Sequence, residues 1–206
     1  MIRLPLGGCS VAFLPVVVGL VSEGDRVREA VPGHDAVGIS LGGEDILALR
    51  HRDRIENDYD ISDLEAVYAH HLSRYGAIDL PTPAFVAAVD ACDTLGISIA
   101  PLDMDDAEFS EMYSETVSLF DVLRGNSLAK KAMKRRFDQP DAESFVMEWD
   151  AFVNRVRGNA AVSRERERVI AENIIALAEG KGKVLAIIET ERLPGVLSIL
   201  RGGADE

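Results

Sequence analysis

The stretch TPAFVAAVDACDTLGISIAPLD (Thr82–Asp103) decides the fold. Thr82 and Pro83 stand where a helix takes its N-cap and first residue, and Gly96 stands where a left-handed residue ends one. Between them lies an alanine-rich helical run that includes Ala87, Ala88, Ala91 and Cys92. Ile97–Leu102 then reads as a strand, and its end delivers Asp103, Asp105 and Asp106 into a loop. A helix that hands over at once to a short β-branched strand is one half-turn of an alternating α/β chain.

The same rhythm extends in both directions. Met1–Leu6 and Val11–Val18 read as strand material, paired as a hairpin across Gly7-Gly8. A short helix follows over Asp25–Val31 and ends at Pro32-Gly33. The strand Ala36–Leu41 runs into Gly42-Gly43 and a helix around Glu44–Arg52. Ile55–Asp60 is a polar connection, after which Ser62 and Glu65 form the capping box of a helix that stops at Gly76. Beyond Asp106 helical patterns dominate, over Ala107–Leu123, Leu128–Phe137 and Pro140–Arg157. Ser163–Glu179 is a further helix, and Lys183–Ile188 is the last strand. A short helix near Gly195–Leu200 and a Gly-Gly-Ala-Asp-Glu tail close the chain. No linker breaks this order. The expectation is a single α/β domain over residues 1–206, with a three-layer, mainly parallel sheet, helices on both faces and a helical insertion at about 107–157.

Composition narrows the function classes. The hydrophobic fraction of 47% with 6% aromatics suits a packed α/β core. The net charge of −13 argues against a nucleic-acid binder, which needs a basic face, and against an anionic membrane surface. The one basic run, Lys130, Lys131, Lys134, Arg135 and Arg136, reads as an exposed helix face. Two distant cysteines, Cys9 and Cys92, do not make a disulfide scaffold and fit a reducing compartment. The apolar stretch from Val11 to Val21 contains Pro15 and Gly19 and is too short to cross a bilayer. A cytoplasmic protein is the expectation. Phe109, Met112, Tyr113 and Phe120 form one apolar stripe, which suits either a core or a homodimer contact.

In an open α/β sheet, ligands bind beyond the carboxyl ends of the strands, where strand order reverses. Four such ends are legible. They carry Ser22 and Glu23, then Ser40 with Gly42-Gly43, then Asp103 and Asp105, and finally Glu189, Glu191 and Arg192. Asp103/Asp105 and Glu189/Glu191 are two residues apart, so each pair shares a side of an extended backbone. Clustered carboxylates raise one another's pKa or recruit a cation. Their other reading is a set of solvated loop caps. The histidines offer no metal spacing: His70 and His71 are adjacent on one helix and point about 100° apart.

Three segments carry a family resemblance. They are Arg164–Ile174 (RERERVIAENI), Val184–Ile188 with Leu193–Leu197, and Ala36–Leu41 (AVGISL). Together with Thr82–Asp103 they resemble the TraB/PrgY family, which is related to the Tiki and erythromycin-esterase-like proteins. In that family an E-R-D-x-x-M-A helix precedes a strand ending in G-x-x-H, and an earlier strand reads V-x-V-E-L. The family's first G-x-x-H falls on Gly7–Ser10 or, in another register, Gly19–Ser22, with serine at the histidine position either way. The glutamate of V-x-V-E-L falls on Ser40, and the last G-x-x-H becomes Glu189-Thr-Glu-Arg192. Tiki-type members are metal-dependent peptide hydrolases. With these replacements the resemblance implies the fold without peptidase activity, in a ligand-binding or regulatory domain for a small molecule or peptide.

The residues expected to meet such a ligand are Ser22, Glu23, Ser40 and Arg192, with no cofactor. The alternative is a metal-dependent hydrolase rebuilt on carboxylates. Asp103, Asp105, Glu189 and Glu191 would then hold magnesium, manganese or calcium, which favour oxygen ligands. Arg192 is the internal rival to that cation, because it could neutralise the same acids.

Overall fold

The computed structural model describes residues 1–54, 61–125 and 127–202. The polar connection at 55–60 and the tail beyond residue 202 lie outside the described residues. Five strands form one sheet: β1 (Ile2–Leu6), β2 (Cys9–Val16), β3 (Ala36–Ile39), β4 (Ser98–Pro101) and β5 (Lys183–Glu189). Their order across the sheet is β1-β2-β5-β3-β4. β1 is antiparallel to β2, and every other pairing is parallel. The β1–β2 hairpin turns at Gly7 and Gly8, whose φ values of 53° and 91° suit the two-residue turn that matches strand twist.

Ten α-helices complete the described chain. They are α1 (Ser22–Ala30), α2 (Gly43–Arg50), α3 (Asp63–Leu72), α4 (Pro83–Leu95), α5 (Asp106–Thr116), α6 (Leu119–Gly125), α7 (Leu128–Lys134), α8 (Ala142–Val153), α9 (Arg157–Ala178) and α10 (Leu193–Gly202). Where the sequence carries cap chemistry the helices obey it. Ser62 accepts from the Glu65 backbone N–H and opens α3, and Gly96 with φ 66° ends α4.

Two apolar layers sandwich the sheet. On one face Leu14, Val37, Ile39 and Leu185 pack with α1, α2 and α4. On the other, Val11, Phe13, Val184 and Ile188 pack against Ile170 and Ile174 of α9 and Val196 of α10. This is the expected three-layer α/β architecture. The sequence reading of Ala107–Leu123 as one helix is corrected to two. Ser118 takes over as a new cap, accepting from the Asp121 backbone N–H while its hydroxyl donates to the Asp121 carboxylate. Val117, extended at φ −99° and ψ 116°, is where the first helix stops.

A third core sits apart from the sheet. Val67 and Leu72 of α3, Leu128 and Ala132 of α7, and Phe145 and Trp149 of α8 enclose Phe137. Tyr68 and Tyr75 stack on Phe145 at 5.8 and 5.6 Å between ring centroids. Val17 and Leu20, just past β2, belong to the same cluster, so this helical cap grows from the carboxyl edge of the sheet. α3 precedes β4 in the chain, so the cap draws on more than the segment expected as an insertion. His71 is buried in it, its Nε2 3.2 Å from the Ala132 carbonyl, whereas His70 is exposed. Among the described residues no helix is long and apolar enough to cross a membrane.

Candidate functional site

Connections leave β2 and β3 toward α1 and α2 on one face of the sheet, and leave β5 toward α10 on the other. The chain therefore diverges on both sides of the carboxyl end of β5, which is where an open α/β sheet offers a crevice. Glu189-Thr190-Glu191-Arg192 occupies that position.

One arginine organises the crevice. The buried stripe of α9 includes Ile174, Ile170 and Ser163, and the half-buried Arg166 falls between the last two at helical spacing. The helix precedes parallel β5 and so runs back across the sheet, with its N-terminal half reaching the carboxyl edge. The stripe changes there from apolar to charged. Arg166 Nε donates to Asp103 Oδ2 at 2.7 Å, its Nη2 bonds the same oxygen, and Nη2 also donates to Glu189 Oε1 at 3.0 Å. Asp103 and Glu189 are both buried. Burial raises the Asp103 carboxyl above its ordinary value, and Arg166 offsets part of that. Burial alone would weaken the Arg166 proton, but Glu189 and Asp103 outweigh it and hold the guanidinium more firmly charged than usual.

Asp103 reaches β5 although β3 lies between their strands. The reason is a pair of glycines. A Cβ on Gly38 would meet the Leu102 side chain at 2.7 Å, and one on Gly42 would meet the Met104 carbonyl oxygen at 2.6 Å. Both absences let the chain beyond β4 close over the end of β3. Backbone bonds from Leu102 N to the Ile39 carbonyl at 2.8 Å and from Asp103 N to the Leu41 carbonyl at 3.3 Å fix it there.

The other expected residues divide. Glu23 is buried beside β2 but makes its own pair, accepting from Arg26 Nη1 at 2.8 Å on each oxygen. Burial raises its carboxyl despite Arg26. Ser22 is exposed at the start of α1, and Ser40 is enclosed, with its hydroxyl 3.5 Å from the Ile187 carbonyl. Asp105 is turned away: it caps α5, accepting from the Glu108 backbone N–H at 2.9 Å. Cap chemistry claims that carboxylate, so the four acids do not converge. Among the described residues no three His, Cys, Asp or Glu side chains gather as a metal-binding group.

Arg192 does not serve as the neutralising arginine for Asp103 and Glu189. Its side chain turns toward the cap, 3.4 Å from Asp150 of α8 and 3.8 Å from Glu167 of α9. Arg166 takes the expected role. Its signal was present in the sequence, as an arginine four residues before Ile170 on the apolar stripe of a helix.

Glu191 is the acid left over. Its Oε2 and that of Glu189 are enclosed with no hydrogen-bond partner among the described residues. Burial, and next the charge of Glu189, push the Glu191 carboxyl up to about 7. Burial and the same two glutamates raise the Tyr68 hydroxyl, which donates to the Val18 carbonyl at 3.2 Å. Beside the Arg166 clasp a cavity of about 190 Å³ opens toward solvent, lined by Ser40, Gly42, Asp45, Asp103, Phe109 and Arg166 among others. It is polar and anion-rich, with one fixed cation in its wall. No protein-family model matches the chain, and no curated protein matches it significantly.

Proposed function

We propose that this chain is a TraB/PrgY-like α/β domain that binds a small molecule or peptide end at the carboxyl edge of its sheet and does not hydrolyse peptides. The observation that carries the reading is the Arg166 clasp on Asp103 and Glu189. A guanidinium spanning two buried carboxylates satisfies the charge that a divalent cation would otherwise meet. Serine at the family's first histidine position, Ser40 at its glutamate and Arg192 at its last histidine point the same way. The polar cavity at Ser40 and Arg166 suits a ligand offering hydroxyl or ammonium donors to Asp45 and Asp103.

A peptidase assay tests this reading. The purified chain is incubated with a mixed peptide library and zinc, cobalt or manganese, and products are read by mass spectrometry. No cleavage above a metal-only control is expected. Metal-dependent cleavage that disappears in Glu191→Ala would overturn the reading in favour of a rebuilt hydrolase.

A further inference from the structure

Most arginines of this acidic chain sit beside a carboxylate. Arg124, Arg157 and Arg164 do not: none of the three has an ion-pair partner among the described residues, and all three line one hollow of about 480 Å³ between α6 and α9. Arg157, Ala161 and Arg164 stand at positions i, i+4 and i+7 of α9, on one face of that helix. Arg124 comes from the last turn of α6, which packs on α9. Ala161, between the two arginines of α9, contributes only a methyl group and leaves the floor of the hollow open.

Gly158 seats α6 against the start of α9, since a Cβ at that position would meet the Asp121 Cβ at 3.0 Å. Asp121 is the one acid among the described residues of the lining, and its charge is already answered. The Ser118 hydroxyl donates to its Oδ2 at 2.6 Å, and the Ser118 backbone N–H donates to the same oxygen at 3.2 Å. The Ser118 hydroxyl, with the backbone N–H groups of Ser118 and Gly158, holds the Asp121 carboxyl below its ordinary value. Three guanidiniums thus share a hollow with one satisfied carboxylate, in a chain of net charge −13. Like charges gathered in this way repel one another, and a bound anion removes that repulsion.

We propose that this hollow binds a small phosphorylated molecule, with Arg124, Arg157 and Arg164 holding its phosphoryl oxygens. The planar guanidinium fork matches phosphate oxygens in pairs, which a lysine cannot do. The volume is that of a small-molecule site. Phe120, 76% exposed, lines the same hollow and offers a ring to the organic part of the ligand. A nucleic-acid strand fits less well. Where the hollow continues toward α5, Glu108, Glu111 and Glu115 line the wall, and they repel a polyanion that outruns the arginines. The inference stands apart from the strand-end reading, because no residue of the Arg166 clasp lines this hollow.

Isothermal titration of the whole chain with inorganic pyrophosphate, at fixed ionic strength, tests it against sulfate. Saturable binding of pyrophosphate at one site is expected, about tenfold or more tighter than sulfate. Pyrophosphate is also expected to raise the unfolding temperature of the unmodified chain as its concentration rises. Arg157→Gln with Arg164→Gln is expected to weaken binding about tenfold or more. The control pair Arg3→Gln with Arg136→Gln, both exposed and outside the hollow, is expected to leave it unchanged. Circular dichroism confirms that each variant is folded. Absent binding, equal affinity for sulfate, or equal weakening by the two arginine pairs would overturn the proposal. So would cosedimentation with phosphoinositide-containing vesicles without binding of free pyrophosphate, since the ligand would then be a membrane surface.

Discussion

Glu191 is the carboxylate at the strand ends whose protonation the fold moves into the neutral range. Its carboxyl is pushed up to about 7 in the folded chain, against an ordinary glutamate value of 4.5. The folded state therefore keeps its proton to higher pH than the unfolded chain does. Folding is penalised as pH rises through that interval, and the penalty is complete above it. At the usual conversion the interval is worth on the order of 3 kcal/mol. Glu191→Gln keeps the shape and removes the charge. It is expected to unfold at higher temperature than the parent at about pH 8 and at nearly the same temperature at about pH 5. Equal midpoint changes at both pH values would show that Glu191 is not held protonated by its surroundings.

Arg166 carries the opposite risk. Removing it leaves Asp103 and Glu189 buried with no cation between them. Breaking a buried ion pair from one side costs about 3–5 kcal/mol, whereas replacing all its members by neutral groups costs far less. Arg166→Met is thus expected to lose several kcal/mol in urea denaturation. Adding Asp103→Asn and Glu189→Gln is expected to recover most of the loss. These residues also mark how far the site was legible. Asp103 and Glu189 announce themselves as acids at strand ends. Arg166 does not, because sequence spacing shows that it shares a stripe with Ile170 and Ile174 but not that the stripe outruns the sheet. Asp105 misleads for a different reason: the Asp-x-x-Glu spacing to Glu108 is a capping box, and helix caps and metal ligands draw on the same residue types.

At the scale of elements, the crossing of the β4–α5 segment over β3 depends on two missing side chains. Gly42→Ala would bring a methyl within 2.6 Å of the Met104 carbonyl oxygen and 3.1 Å of the Asp105 Cα, both backbone atoms that the α5 cap holds in place. Overpacking of this kind costs about 1–3 kcal/mol. Gly43, one residue on, has nothing within 4 Å of its would-be Cβ and lies in the first turn of α2. Gly43→Ala is therefore expected to be neutral or slightly stabilising, while Gly42→Ala lowers the urea midpoint. Equal effects would mean that the segment 102–105 is free to shift. In the sequence Gly42-Gly43 reads as a strand end that opens a helix. Its second task, admitting a neighbouring chain, belongs to packing between β3 and β4 and leaves no local signature. The β1–β2 hairpin, the α3 capping box and the Thr82–Gly96 helix were legible because each is specified within a few consecutive residues. The boundary between α8 and α9 was not. Val156 continues the apolar spacing of Trp149 and Phe152, yet α8 ends at Val153 and α9 starts at Arg157, six residues before the expected Ser163.

For the whole molecule, the layers follow from the alternation of short apolar strands with amphipathic helices, and that alternation is legible in the sequence. The helical cap was visible only in part. Phe145, Trp149 and Phe152 show their helical spacing on α8, but their partners on α3 lie more than sixty residues earlier in the chain. No periodicity links segments so far apart. The consequence is chemical as well as architectural. α8 brings Asp150 against Arg192, and α3 brings Tyr68 over the end of β2, so the strand-end acids sit beneath a roof. A charge beneath that roof must be met from within the chain, which in this account is the task of Arg166. The most direct test is the unfolding temperature as magnesium, manganese and calcium are each titrated at fixed ionic strength. An ion that binds only the folded state must raise that temperature steadily with its concentration. An arginine-neutralised crevice predicts a midpoint that stays where it is for all three ions. A rise that grows with concentration and vanishes in Glu189→Gln would contradict it.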